Sequence, residues 1–258
     1  MKPITKFAIF LVATLILQSG IYLYMNFSLF APTTSFEVKS ATGTTNMVVD
    51  GDTHFSTDKR YMAVVKTDKV EIYETPKKLL RTIELKDDKL TYFHWLNDRN
   101  LALMAVQNNN NQRKETKIVL SQINPLMPDH NLSTVVDKLP LDSKVTDVAF
   151  STATNVIYMQ ILTDAKQDLY RVYRTDANQD LTRVHLQTNK LGRIGVLYDH
   201  DALIYDNVDN GIVYVRDGDG SWRVISPSGA KYRLVGVDGK NNIYIAKVDK
   251  QGLAEAVY

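Results

Sequence analysis

The chain has 258 residues, 44% of them hydrophobic, and no cysteine. That is enough apolar material for a true core, and it excludes disulfides, thiolate metal sites, cysteine nucleophiles and lipidation through a cysteine. The formal net charge of +2 resides in Lys2 and Lys6, because the remainder balances 29 basic against 29 acidic residues. Such a balance gives no electrostatic footprint for nucleic acid or for an anionic lipid surface.

Residues 7–24 read FAIFLVATLILQSGIYLY, and no charge follows until Glu37. About 20 apolar residues cross a bilayer as a helix, and positive flanks stay cytoplasmic. With Lys2 and Lys6 ahead of it, the segment is expected to be a signal-anchor: residues 1–30 form a cytoplasmic tip and transmembrane helix, residues 31–35 a linker, and residues 36–258 an extracytoplasmic domain. The competing reading is a cleaved signal peptide, but no A-x-A motif follows and the best cut, after Ala31, precedes Pro32.

Beyond residue 33 the pattern changes. Short β-branched or alternating runs are split by Asp, Asn, Gly and Lys turns, as in YMAVVK (61–66), VEIYE (70–74), IVYVR (212–216) and IYIAKV (243–248). The short spacing predicts antiparallel strands throughout. The runs also repeat. FSTDKRYMA (55–63), WLNDRNLAL (95–103), FSTATNVIY (150–158), LYDHDALIY (197–205) and VDGKNNIY (237–244) share a form. An aromatic or aliphatic residue ends an inner strand, a polar turn follows, and a hydrophobic strand begins. The turn aspartate is expected to accept hydrogen bonds from nearby backbone N–H groups. The spacing is the period of a four-stranded propeller blade.

These residues resemble the FSPDG-type repeats of TolB-like and WD-like β-propellers and of the propeller domain of prolyl-oligopeptidase-type peptidases. The resemblance covers about 200 residues. It is closest in the copies at 55 and 95 and decays in the last three. The WD dipeptide and its partner histidine are missing. No G-x-S-x-G elbow exists, so the peptidases lend no catalytic residue.

Counting strands gives an all-β, five-bladed β-propeller behind one N-terminal transmembrane helix. The competing architecture is a β-sandwich or an open propeller-like sheet. Blade one is expected to begin at 46–50, and blade five has only three strands before the chain ends. Its fourth is expected at 36–40 (FEVKS), which would close the ring and remove an open edge. The linker then enters on one face, and five extended residues reach only about 17 Å. The linker face should lie near the membrane and the opposite face should look away.

On that outward face fall the candidate partner-contacting loops: Asn108, Asn109, Asn110, Asn111, Arg113 and Lys114 of the low-complexity stretch NNNNQRK, Asp164 and Lys166, and Asn207 and Asp209. The bland reading of NNNNQRK is a solvated hairpin tip. DGDGS (217–221) begins like a calcium loop, but the closing acidic position is Ser228, so a hairpin turn is expected. His54, His94, His130, His185 and His200 show no metal-ligand spacing. Trp95 and Trp222 are expected to fill space between blades.

No catalytic residue, cofactor or metal is called. The expected function is a non-catalytic protein-interaction scaffold in the cell envelope, its partner another envelope or membrane protein. A small-ligand or saccharide sensor is the rival. Fold alone does not choose between them. Expressed in a bacterium, the full chain should stay in the membrane fraction at its uncleaved mass after carbonate washing. Leu15→Arg should cost about 2.5–3.5 kcal/mol of insertion free energy and release the protein; a soluble form starting near Pro32 would refute the anchor.

Overall fold

The computed structural model describes residues 12, 14–15, 17–22, 24, 51–75, 78–127 and 132–258. The described residues between 12 and 24 are helical, with Val12, Leu15, Leu17 and Ile21 exposed. Among the described residues no helix is long and apolar enough to cross a membrane. The proposed span and linker fall largely outside the described residues, as do the strands expected at 36–40 and 46–50.

Among the described residues, nineteen strands form five antiparallel sheets, each an up-and-down meander. Sheet 1 holds β1 (Asp52–Phe55), β2 (Tyr61–Val65), β3 (Lys69–Glu74) and β4 (Lys78–Glu84). Sheet 2 holds β5 (Lys89–Trp95), β6 (Ala102–Asn110), β7 (Glu115–Ile123) and β8 (Ser133–Pro140). Sheet 3 holds β9 (Lys144–Ser151), β10 (Val156–Asp164), β11 (Leu169–Thr175) and β12 (Thr182–Val184). Sheet 4 holds β13 (Leu191–Val196), β14 (Ala202–Asn207), β15 (Val213–Asp217) and β16 (Trp222–Val224). Sheet 5 has three strands, β17 (Lys231–Val237), β18 (Ile243–Val248) and β19 (Ala254–Val257).

The apolar core lies between consecutive sheets. Tyr61, Ala63 and Ile72 of sheet 1 pack on Phe93, Trp95 and Met104 of sheet 2. Leu103, Ala105 and Leu120 of sheet 2 pack on Ile157, Met159 and Ile161 of sheet 3. Val156 and Tyr158 then meet Leu203 and Tyr205, and Ala202 and Ile204 meet Tyr232 and Leu234. Successive strand residues point to opposite faces. The second strand of an interior sheet therefore opens on an unbroken apolar run, because both its faces are covered there. This is why ALMAV, VIYM and ALIY read as unbroken runs.

The sequence reading placed the first strand of sheet 1 too early: it is Asp52–Phe55. DTHF is weakly β-forming, but the tight turn after Phe55 fixes the register, pairing Phe55 with Met62 and Asp52 with Val65. Its β-branched neighbour MVVD looked the better strand on propensity alone.

Four first strands carry a bulge or register shift, near the start of the strand in β5, β9 and β13 and near its end in β17. β5 shifts between Leu90 and Tyr92, β9 between Val145 and Asp147, β13 between Leu191 and Ile194, and β17 between Leu234 and Gly236. Bulges re-aim the side chains that follow. In β5 and β9 the skipped residue is a threonine, Thr91 or Thr146, whose hydroxyl donates to the carbonyl of Ala105 or Gln160, each at 3.3 Å.

Among the described residues β19 pairs only with β18. A chain beginning at residue 36 should therefore be more stable, by several kcal/mol, than one beginning at 45, because residues 36–40 are expected to cover the β19 edge. Urea unfolding of the two checks this, and equal midpoints would exclude 36–40 as the closing strand.

Candidate functional site

The two ends of the sheets are built differently. At one end lie the turns between first and second strands, which carry the repeat motif. Asp58 anchors the first: its Oδ1 accepts from Arg60 N at 2.9 Å and from Ser56 Oγ at 2.8 Å. Its Oδ2 accepts from Asn100 Nδ2 of the next sheet at 2.9 Å. Asp238 repeats the device, accepting from the backbone of Lys240 and Asn242. Asp98 does not; its carboxylate bonds the Arg99 guanidinium instead of turn backbone.

Turn-to-turn bonds cross three of the four sheet junctions at this end. Asn100 meets Asp58, Ser151 Oγ donates to Tyr198 O, and Asn241 bonds both Asp199 and Tyr198 N. Trp95 helps at the first, donating Nε1 to His54 O at 3.0 Å while 4% exposed, as expected of an inter-sheet filler. Trp222 departs from that expectation: it is 50% exposed, resting edge-on against Tyr214 of its own sheet.

Between sheets 2 and 3 the series is interrupted. Among the described residues no hydrogen bond joins the β5–β6 turn to the β9–β10 turn. A cleft of about 220 Å³ opens there. Leu96, Leu103, Phe150 and Ile157 make its apolar wall, and Arg99 is the one charged residue lining it. Nothing in the sequence pattern pointed to it, because Leu96 and Ile157 read as ordinary core.

The opposite end carries the loops singled out from sequence. Asn108, Asn109 and Asn110 are the last residues of β6, and the hairpin tip proper is 111–114. Asn108 Nδ2 donates to Asp88 Oδ1 at 2.6 Å and Asn109 Nδ2 to Asp142 Oδ1 at 2.7 Å, tying the hairpin to the connections before and after sheet 2. Asn110 Oδ1 accepts from Arg113 N at 3.0 Å, and Lys114 takes a left-handed φ of 54°. Asn111, Arg113 and Lys114 are exposed.

Asp164 Oδ1 accepts from Lys166 N and Gln167 N. Asn207 Oδ1 accepts from Asp209 N and Asn210 N, and the Asn207 carbonyl accepts from Arg233 of sheet 5. The Asp209 carbonyl accepts from Lys231 Nζ. Strand order puts these turns on one end, away from the Asp58, Asp98 and Asp199 turns. The DGDGS segment is a hairpin turn, with Gly220 N donating to Asp217 O.

A third group was missed. On the inner strands, His54 lies against Phe93 at 5.4 Å and Tyr92 against His94 at 6.4 Å. Asp147 accepts from Val148 N and Ile194 N, and Arg193 Nη1 donates to Val235 O at 3.1 Å. Asp206, 1% exposed, accepts Arg193 N at 2.7 Å and faces the Arg233 guanidinium at 3.5 Å. Gly192 is required beside it, since a Cβ there would sit 2.5 Å from Asp206 Oδ2. Burial pushes both Asp147 and Asp206 above the ordinary carboxylate range and lowers His94. Both carboxylates hold the bulged backbone of β13. Among the described residues no group of three or more His, Asp or Glu could hold a metal ion.

No protein-family model matches the chain, and no curated protein matches it. Solved structures of β-propeller proteins resemble it. Virginiamycin B lyase from Staphylococcus aureus shares 12% identity over 80% of this chain and 68% of that one, with a TM-score of 0.47. The WD40 domain of SCAP from fission yeast shares 12% over 77% of this chain and 48% of that one, at 0.46. TolB from Acinetobacter baumannii shares 11% over 78% and 52%, at 0.43. The chain spans about half the length of the last two. Their folds are of the TolB-like and WD-like kind that the repeats resemble, and no activity is carried across.

The end bearing the β2–β3 and β6–β7 hairpins includes a strong ionic clasp. Glu71 accepts from Lys66 Nζ, Lys69 Nζ and Tyr73 Oη, each at 2.9 Å. Lys66, then Lys69 and Tyr73, hold its carboxyl at about 2, below the ordinary 4.5. A depressed carboxyl stabilises the fold above its unfolded value and loses that contribution as pH falls toward its folded value. Stability should therefore decline as pH drops from about 4.5 toward 2. In Glu71→Gln that decline should shrink by on the order of 1 kcal/mol, measured by urea unfolding across this range.

Proposed function

We propose that this chain is a non-catalytic interaction scaffold: a five-bladed propeller held on the outer side of a cell membrane by its hydrophobic N-terminal segment, working on another envelope or membrane protein. One observation carries the reading. The end bearing the candidate loops is preorganised. Asn108, Asn109, Asp164 and Asn207 direct their side chains into turns and neighbouring connections, so Arg113, Lys114 and Lys166 are presented on a fixed support. Preorganisation lowers the ordering cost of binding. The apolar run 7–24 behind Lys2 and Lys6, with Leu15, Leu17 and Tyr22 exposed on its helix, supports the anchor.

A small-ligand sensor is the second reading. It draws on the polar inner-strand group of His54, Tyr92, His94, Asp147 and Arg193, which brings charge and ring nitrogen together from separate sheets.

The double substitution Arg113→Glu, Lys114→Glu should abolish capture of the envelope partner from solubilised membranes while leaving the thermal midpoint unchanged, because both side chains are exposed. Asp58→Ala should do the reverse, costing about 1 kcal/mol through the lost turn bonds and sparing capture. Capture that survives the first change and is lost with the second would reverse the assignment of the working end.

A further inference from the structure

The interrupted junction between sheets 2 and 3 has a shape and chemistry of its own. Its walls are largely apolar, from Leu96, Leu103, Phe150 and Ile157, with the polar Gln122, Asn155 and Gln179 among them. The space, about 220 Å³, exceeds the roughly 150 Å³ that encloses benzene in an engineered apolar cavity. It falls short of the ~300 Å³ at which clefts for whole drug-sized ligands begin. The site thus suits one phenyl or indole group and little more. At its mouth lies Leu132, 48% exposed, in the connection that also exposes Leu126 at 60% and Met127 at 55%. An apolar surface beside a ring-sized socket is the form in which interfaces seat an anchoring aromatic side chain.

Charge narrows the occupant further. Arg99 is the one charged residue lining the cleft, and its present partner is its own neighbour Asp98, at 3.1 Å. Both side chains are exposed, at 44% and 37%. Such a pair is worth about 0–1 kcal/mol, so the guanidinium can turn to a carboxylate brought by a ligand at little cost. The junction is tied instead by Thr134 of β8, whose hydroxyl meets Thr175 Oγ1 at 3.2 Å and donates to Gln179 Oε1, on the rim of the cleft, at 2.9 Å.

We infer that this cleft is a second docking site, which seats one aromatic side chain of a partner polypeptide whose adjacent acidic residue pairs with Arg99. It lies at the opposite end from Arg113 and Lys114, so it stands or falls independently of the scaffold surface proposed above.

The test uses the full chain in detergent and 19F NMR titration of the blocked peptide acetyl-Gly-Trp-Asp-Gly-amide carrying 5-fluorotryptophan. Saturable binding is expected. The affinity should fall at least tenfold with Arg99→Glu, and as much with Ala177→Phe, which fills the mouth from an exposed turn position without touching the core. Both variants should keep the parent thermal midpoint and the parent capture of the envelope partner. The peptide with Lys in place of Asp should bind at least tenfold more weakly, and free 5-fluoroindole-3-acetate more weakly than the parent peptide. Absence of saturable binding would overturn the inference. So would equal affinities of the Asp and Lys peptides, insensitivity to both substitutions, or fluoroindole acetate binding as tightly as the peptide.

Discussion

Every sheet in this protein is too thin to bury its own apolar faces, and each is completed only by the next. The dependence is visible in β6, where Ala102 and Met104 belong to the junction with sheet 1 while Leu103 and Ala105 belong to the junction with sheet 3. The same division recurs in β10 and β14. Burial of a large apolar side chain contributes roughly 1.5–3 kcal/mol, so each junction is a shared stabilising unit that neither sheet has alone. The polar parts of the structure can be understood as ways of holding those junctions in register.

They do so differently at the two ends. At the motif end the short turns reach one another directly, as Asn100 reaches Asp58 and Asn241 reaches Asp199. At the other end the longer hairpins reach the chain segments that link sheets, as Asn108 reaches Asp88 and Asn109 reaches Asp142. Between the two ends, buried Asp206 and half-buried Asp147 bond the amides of Arg193 and Ile194, which the β13 bulge turns away from normal strand pairing. A buried carboxylate is costly unless such donors satisfy it. Its place here follows from the bulge, since the backbone groups need an acceptor and no regular strand partner is there.

How much of this was legible in sequence follows from the range of each interaction. Second strands were legible because two-sided burial makes their opening residues continuously apolar, and all five repeat copies fell at first-to-second strand turns. Asp58 was legible as a cap because its backbone donor, Arg60, is two residues away. Asp98 occupies the same motif position, yet Arg99 takes its carboxylate. Local pattern therefore fixes where a turn falls better than what its side chain bonds. NNNNQRK was legible as a hairpin tip and its support was not: its first two asparagines bond aspartates 20 and 33 residues distant, a relation no local pattern contains.

The inner-strand group was illegible for the same reason in stronger form. His54, His94, Asp147 and Arg193 come from four different sheets, and no two are closer than about 40 residues in sequence. Their meeting is produced by the stacking of sheets, and their aim by bulges that leave no motif beyond Thr91 and Thr146. The cleft goes a step further, for it lies at the junction of consecutive sheets whose motif turns, among the described residues, share no hydrogen bond. In a repeat architecture, chemistry of this kind arises where one copy departs from the others. Identical junctions would pack and bond identically, and any surface fitted to a particular partner has to come from the exception.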